Sequence, residues 1–263
     1  MVSRYCNSQW VSRVCCSRMA LIVGLALIAP VTAASAEDVP FLVYDFEMTR
    51  YGAGITSEFV AFGDALYFLA DTDEFGVTIW RSDGTPEGTA PLRDASGSII
   101  TSLGEELAVF DGGLYFRALN QEDSDYDLWR SDGTPEGTAV FSRLDWPAGL
   151  FPQEFTVVRD TLFFLTVPSP VRWAICTSDG TPEGTVMIKE IRDSGYSYPG
   201  SLTALGDTLL FVADDIDHGK ELWKSDGTEE GTGLLKDINP SGDSIETWLV
   251  ACGDVVFFAA DDG

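Results

Sequence analysis

The chain has 263 residues, with 42 acidic against 16 basic side chains and a formal net charge of −26. This acidic excess repels nucleic-acid phosphates and anionic lipid surfaces, so those partners are excluded from the expected functions. The composition remains compatible with three classes of protein: a cation binder, a solvated protein outside the cell, or a protein that binds a basic partner. The single histidine, His218, leaves little room for Ser-His-Asp or histidine–metal chemistry.

Residues 1–36 have the pattern of a secretory signal peptide. Three arginines precede an apolar run at 20–29, and Ala34-Ser35-Ala36 is a small-residue cleavage motif. The alternative is an uncleaved membrane anchor, which the proline at the end of the apolar run disfavours. Cleavage would remove the three arginines and change the formal charge from −26 to −29. We expect a secreted, cell-surface or periplasmic protein without a membrane span after cleavage.

One phrase recurs four times after the signal. The copies read "IWRSDGTPEGT" at 79–89, "LWRSDGTPEGT" at 128–138, "TSDGTPEGT" at 177–185 and "LWKSDGTEEGT" at 222–232. The aspartates of successive copies are 47 to 49 residues apart. A period of this size is typical of propellers and similar arrays.

The fourth repeat shows the order of elements most clearly. Its short apolar runs are separated by tight turns and lie at 202–205, 208–213, 220–225 and 233–238. Four short strands in this order indicate one propeller blade. The first two runs are apolar almost throughout, which predicts burial on both faces.

The predicted fold is therefore all-β, a β-propeller of four-stranded antiparallel blades in a domain spanning 37–263. The expected units lie at about 57–97, 105–145, 153–193 and 200–240, with a partial unit at 247–263. A lone strand is also predicted at 41–47. Two interpretations stay open: closure of a five-bladed ring by the two ends, or a fragment of a longer array, which unpaired strand edges favour slightly.

We expect each residue of the repeated phrase to have a structural role. The aspartate of Asp-Gly caps its own backbone, and the following glycine takes a positive φ. The second glycine of each copy is expected at a further bend, and the tryptophans are expected to anchor blade packing. These are Gly88, Gly137, Gly184 and Gly231, and Trp80, Trp129 and Trp223. The alternative is an anion-binding nest of backbone N–H groups at each turn.

The phrase resembles the ELWxxDGTxxGT repeat of secreted bacterial proteins, and it is similar to the Asp-box hairpin of sialidase-type propellers. The resemblance covers about residues 40–263, but only the fourth copy reads Glu221-Leu222-Trp223. Elsewhere Thr78, Asp127 and Ala174 replace the glutamate, Ile79 and Ile175 the leucine, and Cys176 the tryptophan. The resemblance implies a propeller-like fold and an exported setting. It implies no established reaction, so no catalytic residue is carried over.

Acidic loops between the second and third strands form a candidate Ca²⁺ site. Closely spaced carboxylates before a glycine provide the hard oxygen ligands that Ca²⁺ prefers. The candidate ligands are Asp71, Asp73, Asp123, Asp125, Asp127, Asp214, Asp215 and Asp217. The loops do not match a full EF-hand, and the alternative is a solvated acidic surface that keeps the protein soluble.

The blade-to-blade loops of the same face contain four aromatic residues that are candidates for ligand binding: Trp146, Phe151, Tyr196 and Tyr198. Exposed aromatic rings stack on sugars or anchor a protein partner. The alternative is that they pack against the next blade.

The favoured function is a non-catalytic binding or scaffold module, with a protein or a glycan outside the cell as its partner. The alternatives are a glycan-acting hydrolase with paired carboxylates and a structural extracellular array. We further expect Cys176 and Cys252 to be free thiols, because a whole blade separates them and a disulfide needs Cα atoms within about 7 Å.

Overall fold

The computed structural model describes residues 54–102, 106–120, 126–142, 152–169, 172–192, 197–245 and 247–263. The predicted signal at 1–36 and the predicted strand at 41–47 lie outside these ranges. No helix long and apolar enough to cross a membrane occurs within them.

The described chain folds into five antiparallel sheets that follow one another in sequence. In the second, third and fourth sheets, four consecutive strands are hydrogen-bonded neighbours. The first sheet has the same order with one additional short strand, and the fifth is a two-stranded hairpin. The all-β prediction and the prediction of four-stranded antiparallel sheets are therefore confirmed.

The first sheet contains β1 (Gly54–Ile55), β2 (Val60–Phe62), β3 (Ala65–Thr72), β4 (Gly76–Ser82) and β5 (Ala90–Pro91), with both β1 and β2 pairing with β3. The second contains β6 (Leu107–Phe110), β7 (Gly113–Leu119), β8 (Tyr126–Ser131) and β9 (Ala139–Ser142).

The third sheet contains β10 (Gln153–Val158), β11 (Thr161–Ser169), β12 (Arg172–Ser178) and β13 (Val186–Glu190). The fourth contains β14 (Gly200–Leu205), β15 (Thr208–Asp214), β16 (Lys220–Ser225) and β17 (Gly233–Lys236). The fifth contains β18 (Val250–Cys252) and β19 (Val255–Phe257).

The core lies between successive sheets, and the second strands β3, β7, β11 and β15 supply most of it. Their central phenylalanines, Phe68, Phe116, Phe164 and Phe211, are fully buried. Alternate residues of β7, β11 and β15 enter the apolar clusters on opposite sides of their sheets, and one face of β3 enters the cluster with the second sheet. Burial on both faces is therefore confirmed for the second strands. It is wrong for the first strands, since β14 is only half-buried along its whole length.

Two of the three tryptophans of the phrase pack between sheets, as predicted. Trp129 contributes to the cluster between the first and second sheets, and Trp223 to that between the third and fourth. Trp80 is also buried, and its Nε1 donates to Thr78 Oγ1 at 3.0 Å. Cys176 occupies the corresponding place between the second and third sheets and is fully buried. Cys252 is exposed and both cysteines are free thiols, as expected.

The repeated phrase forms a hydrogen-bonded turn between the third and fourth strands, here called the DGT turn (82–89, 131–138, 178–185 and 225–232). In the first copy, Asp83 Oδ1 accepts bonds from the Thr85 amide (3.0 Å) and hydroxyl (2.8 Å). The Gly88 amide donates to Thr85 Oγ1 at 3.0 Å, and Ser82 Oγ and Thr89 Oγ1 are 2.6 Å apart. The other three copies repeat these contacts. The Asp-Gly prediction is thus confirmed, and these amides already serve the turn itself.

The two glycines of the DGT turn meet different requirements. Gly133, the first in its copy, has φ 93°, and a Cβ there would lie 2.8 Å from the Tyr67 hydroxyl oxygen of the preceding sheet. The second glycine does not have the positive φ typical of a glycine-dependent bend. A Cβ there would instead overlap the aspartate carboxylate of the same turn. In the first copy, a Cβ on Gly88 would overlap Asp83. The predicted second bend is confirmed, because each of these glycines lies in a turn closed by the next threonine, as in the bond from Thr89 N to Pro86 O (3.3 Å). The need for glycine at this bend is steric.

Candidate functional site

Side chains at the start of the first strands of the second, third and fourth sheets (β6, β10 and β14) bond to the backbone of the sheet that follows. Each accepts a hydrogen bond from a backbone N–H about 48 residues later in the chain. These contacts, here called latches, run from Phe155 N to Glu106 Oε2 (3.1 Å), from Leu202 N to Glu154 Oε2 (3.0 Å) and from Leu249 N to Ser201 Oγ (2.6 Å). Two latches use a glutamate, whereas the third uses the shorter serine.

A cleft of about 240 Å³ opens beside the serine latch. Its walls include residues of the third and fourth sheets and of the segment that leads into β18: Glu154, Tyr198, Ser201, Lys220, Thr247 and Trp248. Because a serine side chain ends two carbons short of a glutamate, its replacement of the glutamate leaves room between the fourth and fifth sheets.

Three of the six non-glycine residues with a positive φ in the described part of the chain lie at the cleft. Glu154, Tyr198 and Ser201 have φ values of 55°, 40° and 59°, in the left-handed region that non-glycine residues avoid. The register of both β10 and β14 shifts next to the strained residue, between Gln153 and Thr156 and between Gly200 and Thr203. Strained backbone persists where the surrounding structure enforces it, and it is enriched at ligand sites.

Glu154 is the carboxylate of the cleft wall. Burial raises its pKa above the ordinary value, the Leu202 amide opposes that shift, and the negative charge of Glu106 adds to it. The carboxyl group therefore accepts a proton more readily than a solvated glutamate does. It can present an acceptor when ionised and a donor when protonated.

Two aromatic rings at the cleft are open to solvent. Tyr198 is 57% exposed and Trp248 is 74% exposed, although rings of this size are usually well covered. Tyr198 is one of the four aromatic residues chosen from the sequence, and its role in binding stays a prediction. The other three, Trp146, Phe151 and Tyr196, lie outside the described residues.

The acidic residues of the fourth sheet contact partners within the chain. Asp214 lies at the end of β15, and its Oδ2 forms a 2.9 Å ion pair with Arg192 Nη1. Asp215 accepts the His218 amide at 3.0 Å and contacts His218 Nδ1 at 2.9 Å. The Asp215 carboxylate raises the pKa of His218. Partial burial acts to raise the pKa of Asp215, but the hydrogen bonds from His218 lower it overall. Asp217 lies in the same loop.

The other candidate calcium ligands are spread over different environments. Asp71 lies in strand β3, and Asp73 is exposed in the turn that follows. Asp127 was expected in a loop but lies buried in β8, where its Oδ2 accepts Asn120 Nδ2 at 2.9 Å. Asp123 and Asp125 lie outside the described residues. Within the described part of the chain, no group of three or more His, Cys, Asp and Glu side chains is arranged to hold a metal ion.

The glutamate of the Glu-Leu-Trp pattern is structural. Glu221 is fully buried and accepts bonds from Ile238 N (2.9 Å), Asn239 N (3.3 Å) and Ser244 Oγ (2.6 Å). It thereby fixes the segment between the fourth and fifth sheets, which leads into the cleft. Asp127 occupies the same place in the second copy of the phrase, which explains its burial.

Sequence reasoning missed the latches and the cleft. A signal was present, because one place relative to the turn between the first two strands of each unit is held by Glu58, Glu106, Glu154, Ser201 and Trp248. The three glutamates share a chemical class, whereas the serine and the tryptophan do not belong to it. The serine and tryptophan gain significance only after the geometry shows what the glutamates do.

No family model matches the chain, and no curated protein matches it. Several solved structures are similar. An uncharacterized protein from Listeria monocytogenes shares 16% identity at a TM-score of 0.45, over 78% of this chain and 62% of that one. The Bacteroides ovatus xyloglucan PUL GH43B shares 15% identity at a TM-score of 0.36, over 71% and 42%. A puromycin-hydrolyzing peptidase of Mycobacterium tuberculosis shares 16% at 0.44, over 68% and 32%. The chain thus spans less than two thirds of the length of each.

Proposed function

We propose that the chain is an exported binding module of the ELWxxDGT repeat type, in which successive sheets are blades of a β-propeller. The signal pattern at 1–36 supports export, and the recurrence of the phrase in register supports the family. The face-to-face clusters between consecutive meander sheets support the propeller. Its proposed ligand is a saccharide that enters the cleft beside Ser201.

The observation that carries this proposal is the composition of the cleft. Trp248 and Tyr198 offer exposed rings on which a sugar can stack. Glu154 and Lys220 supply an acceptor and a donor on the same walls, and Ser201 and Thr247 add hydroxyl groups. Apolar rings combined with a few fixed polar groups are typical of small-ligand sites.

The test is a glycan array followed by calorimetric titration of each saccharide that binds. Trp248→Ala should weaken binding at least about tenfold, because it removes the most exposed ring of the cleft. Ser201→Glu should abolish binding while it keeps a latch acceptor for Leu249, because the longer side chain fills the cleft. Phe59→Ala, which removes an exposed ring in the first sheet, is the control and should leave binding unchanged. Equal affinity in the wild type and Ser201→Glu would refute the proposal.

Hydrolysis is the second candidate, and one observation favours it. Glu154 lies on the cleft wall, and burial raises its pKa, with a further contribution from the charge of Glu106. Hydrolysis of glycosides uses two carboxyl groups, one of them protonated. If turnover occurs, Glu154→Gln should remove it and leave saccharide binding within about threefold, since the amide oxygen can still accept the Leu202 N–H. Binding without turnover in the wild type supports the binding module.

Calcium binding by the acidic loops stays a prediction with its own test. Because Asp215 holds His218, a calcium ion bound through Asp215 must displace the imidazole and lower the His218 pKa. Ca²⁺ should therefore raise the melting temperature in a saturable way and shift the histidine titration, while Mg²⁺ at equal ionic strength does neither. The double variant Asp215→Asn, Asp217→Asn should lose the calcium response. If Ca²⁺ and Mg²⁺ have the same effect on the melting temperature and on the histidine titration, the loops are a solvated acidic surface and not a calcium site.

A further inference from the structure

The chain contains six Asp-Gly pairs, and five of them lie in turns of the first four sheets. The aspartates of these five pairs are Asp83, Asp111, Asp132, Asp179 and Asp226. In such a pair the glycine amide nitrogen can approach the aspartate Cγ closely, because glycine has no Cβ.

The approach allows a covalent rearrangement that needs no cofactor. A bond forms from the glycine nitrogen to Cγ and a Cγ–O bond breaks, so that the carboxyl hydroxyl and the amide proton leave as water. Water then reopens the resulting succinimide at either of its two carbonyl groups. One product is aspartate again, and the other is isoaspartate, in which the main chain runs through the side-chain carboxyl carbon.

Four of these aspartates belong to DGT turns, whose hydrogen bonds oppose the rearrangement. In the second copy, Asp132 Oδ1 accepts the amide (2.9 Å) and the hydroxyl (2.7 Å) of Thr134, which hold the carboxylate away from the glycine nitrogen. That nitrogen is also engaged, because Gly133 N donates to Ser131 Oγ at 3.0 Å. The Thr134 hydroxyl lowers the pKa of Asp132, and an ionised carboxylate is a poor electrophile. The other three copies have the same bonds.

Asp111 lies in a different turn, the hairpin between β6 and β7, which lacks these restraints. Asp111 and Gly112 are both exposed. Within the described part of the chain, the Asp111 carboxylate accepts no hydrogen bond and the Gly112 N–H donates none. Both reacting groups are therefore available to each other.

Arg130 favours attack at the same pair. Its Nη2 lies 3.5 Å from the Asp111 carbonyl oxygen and 3.4 Å from the Gly112 carbonyl oxygen. The Asp111 carbonyl belongs to the peptide bond whose nitrogen attacks. A positive charge beside that oxygen stabilises the anion that forms when the Gly112 N–H loses its proton.

We propose that Asp111–Gly112 is a site of spontaneous isoaspartate formation, and that the DGT turns protect their four aspartates from it. The modification inserts a methylene group into the main chain of the β6–β7 turn. This turn contacts the third sheet, since a Cβ on Gly180 would lie 2.5 Å from Asp111 Oδ2. The modified chain should therefore melt at a lower temperature than the unmodified chain.

The test is incubation of the full chain at neutral pH, followed by tryptic digestion, which places the five aspartates on five different peptides. Isoaspartyl and aspartyl forms of a peptide have equal mass, so they are separated by chromatography and assigned by fragmentation. Isoaspartate should accumulate at residue 111 at least about tenfold faster than at the four DGT aspartates. In the chain unfolded by urea, the five rates should agree within about threefold, because a glycine follows each aspartate and the turns are lost.

Two variants examine the two causes separately. Thr134→Val removes the hydroxyl bond to Asp132 and should raise the rate at residue 132 several-fold, while the rate at residue 111 stays the same. Arg130→Gln removes the charge beside the Asp111 carbonyl and should slow the reaction at residue 111 several-fold. The distant Asp226 should react in both variants as it does in the wild type.

Two results would overturn the proposal. The first is an equal rate at residues 111 and 132 in the folded chain. The second is isoaspartate that forms at residue 111 in urea but not in the folded chain, which would show that the β6–β7 turn also protects its aspartate.

Discussion

Hairpin turns between the first and second strands differ in the residue that begins them, which is Asp111 in the second sheet, with φ 42°. Gly63, Gly206 and Gly253 begin these turns in the first, fourth and fifth sheets, with φ values of 59°, 57° and 61°. Arg159 holds the same place in the third sheet at φ 52°. Glycine adopts this region freely, whereas a residue with a Cβ is destabilised there by about 1 kcal/mol or more.

Arg159→Gly should therefore increase the free energy of unfolding by about 0.5–1 kcal/mol. The substitution also removes the ion pair with Asp207, but both side chains are largely exposed, so little stability is lost with it. Urea denaturation measures the difference. Arg159→Lys keeps a side chain at the strained position and is the control, which should match the wild type. If Arg159→Gly is less stable than the wild type, the hypothesis that the positive φ of Arg159 is strained is wrong.

The single histidine provides a direct measurement of the loop at 214–219. The hydrogen bond that the His218 ring donates to the Asp215 carboxylate raises the His218 pKa above its ordinary value of 6.5, and the Asp215 charge adds to this effect. A raised pKa in the folded state contributes stability below the unfolded pKa, and this contribution is lost as the pH rises through the folded pKa. One imidazole resonance, followed by NMR between pH 5 and 9, should titrate above about 6.5. Asp215→Asn should move the midpoint down, and an unchanged midpoint would contradict the contact.

At the scale of the element, the DGT turn depends on an aspartate and a glycine that touch. The Asp226 carboxylate receives the Thr228 amide and hydroxyl at 2.9 and 2.7 Å and lies where a Cβ on Gly231 would be. The Thr228 hydrogen bonds lower the pKa of Asp226. Sequence and geometry are therefore coupled within seven residues, which explains why the whole phrase recurs and not the aspartate alone.

Gly231→Ala should destabilise the protein by about 1–3 kcal/mol, since the added methyl group overlaps the Asp226 carboxylate. Gly233→Ala, two residues away, has open space at its Cβ position and should cost less than about 1 kcal/mol. Thermal denaturation compares the two. If the clash is the cause, Gly231→Ala should cost much less in the Asp226→Ala background than in the wild type. Additive effects would show that the two residues do not interact.

At the scale of the whole molecule, stability depends on how well neighbouring sheets fit. Cys176 occupies a tryptophan position between the second and third sheets, where a small side chain leaves volume to fill. Phe141 packs against the same cluster, at the place held by Leu92 and Ile188 between other sheets. Its ring is 5.1 Å from that of Tyr115. A larger residue on one sheet thus accompanies a smaller residue on the other.

Cys176→Trp alone should destabilise the protein by about 1–3 kcal/mol because Phe141 already fills part of the space. Phe141→Leu alone should also destabilise it, by leaving a gap. The double variant should recover most of the loss, because it recreates the combination of tryptophan and small aliphatic residue found between other sheets. Urea denaturation of the four proteins gives the coupling energy. A Cys176→Trp variant more stable than the wild type would mean that the slot is still open.

Much of this architecture could be predicted from the period and the turn chemistry. The DGT phrase marks the third and fourth strands, and β16 has the predicted bounds at 220–225. The half-burial of the first strands could not be predicted. These strands lie at the edge of their sheets and pair with one strand only, and an apolar run in the sequence does not reveal this position. The steric role of Gly231 also required coordinates, since a glycine without a positive φ carries no sign of what approaches it.

The candidate site was less accessible to sequence reasoning. Tyr198 was found because exposed aromatic residues in loops are unusual, but the cleft depends on Ser201 being shorter than Glu154 at the same place in the repeat. Acidic residues attracted attention by number, yet Asp127 and Asp214 each have partners inside the chain. Abundance of a residue type does not distinguish structural carboxylates from those that meet a ligand.

The latches have a direction, and that direction has a consequence for biosynthesis. In each latch the acceptor side chain belongs to the earlier sheet. The donor amide lies at or next to the start of the first strand of the later sheet. A polypeptide that leaves the ribosome N-terminus first therefore exposes every acceptor before its donor is translated. Each sheet can capture its successor as it emerges, so that assembly proceeds vectorially with synthesis.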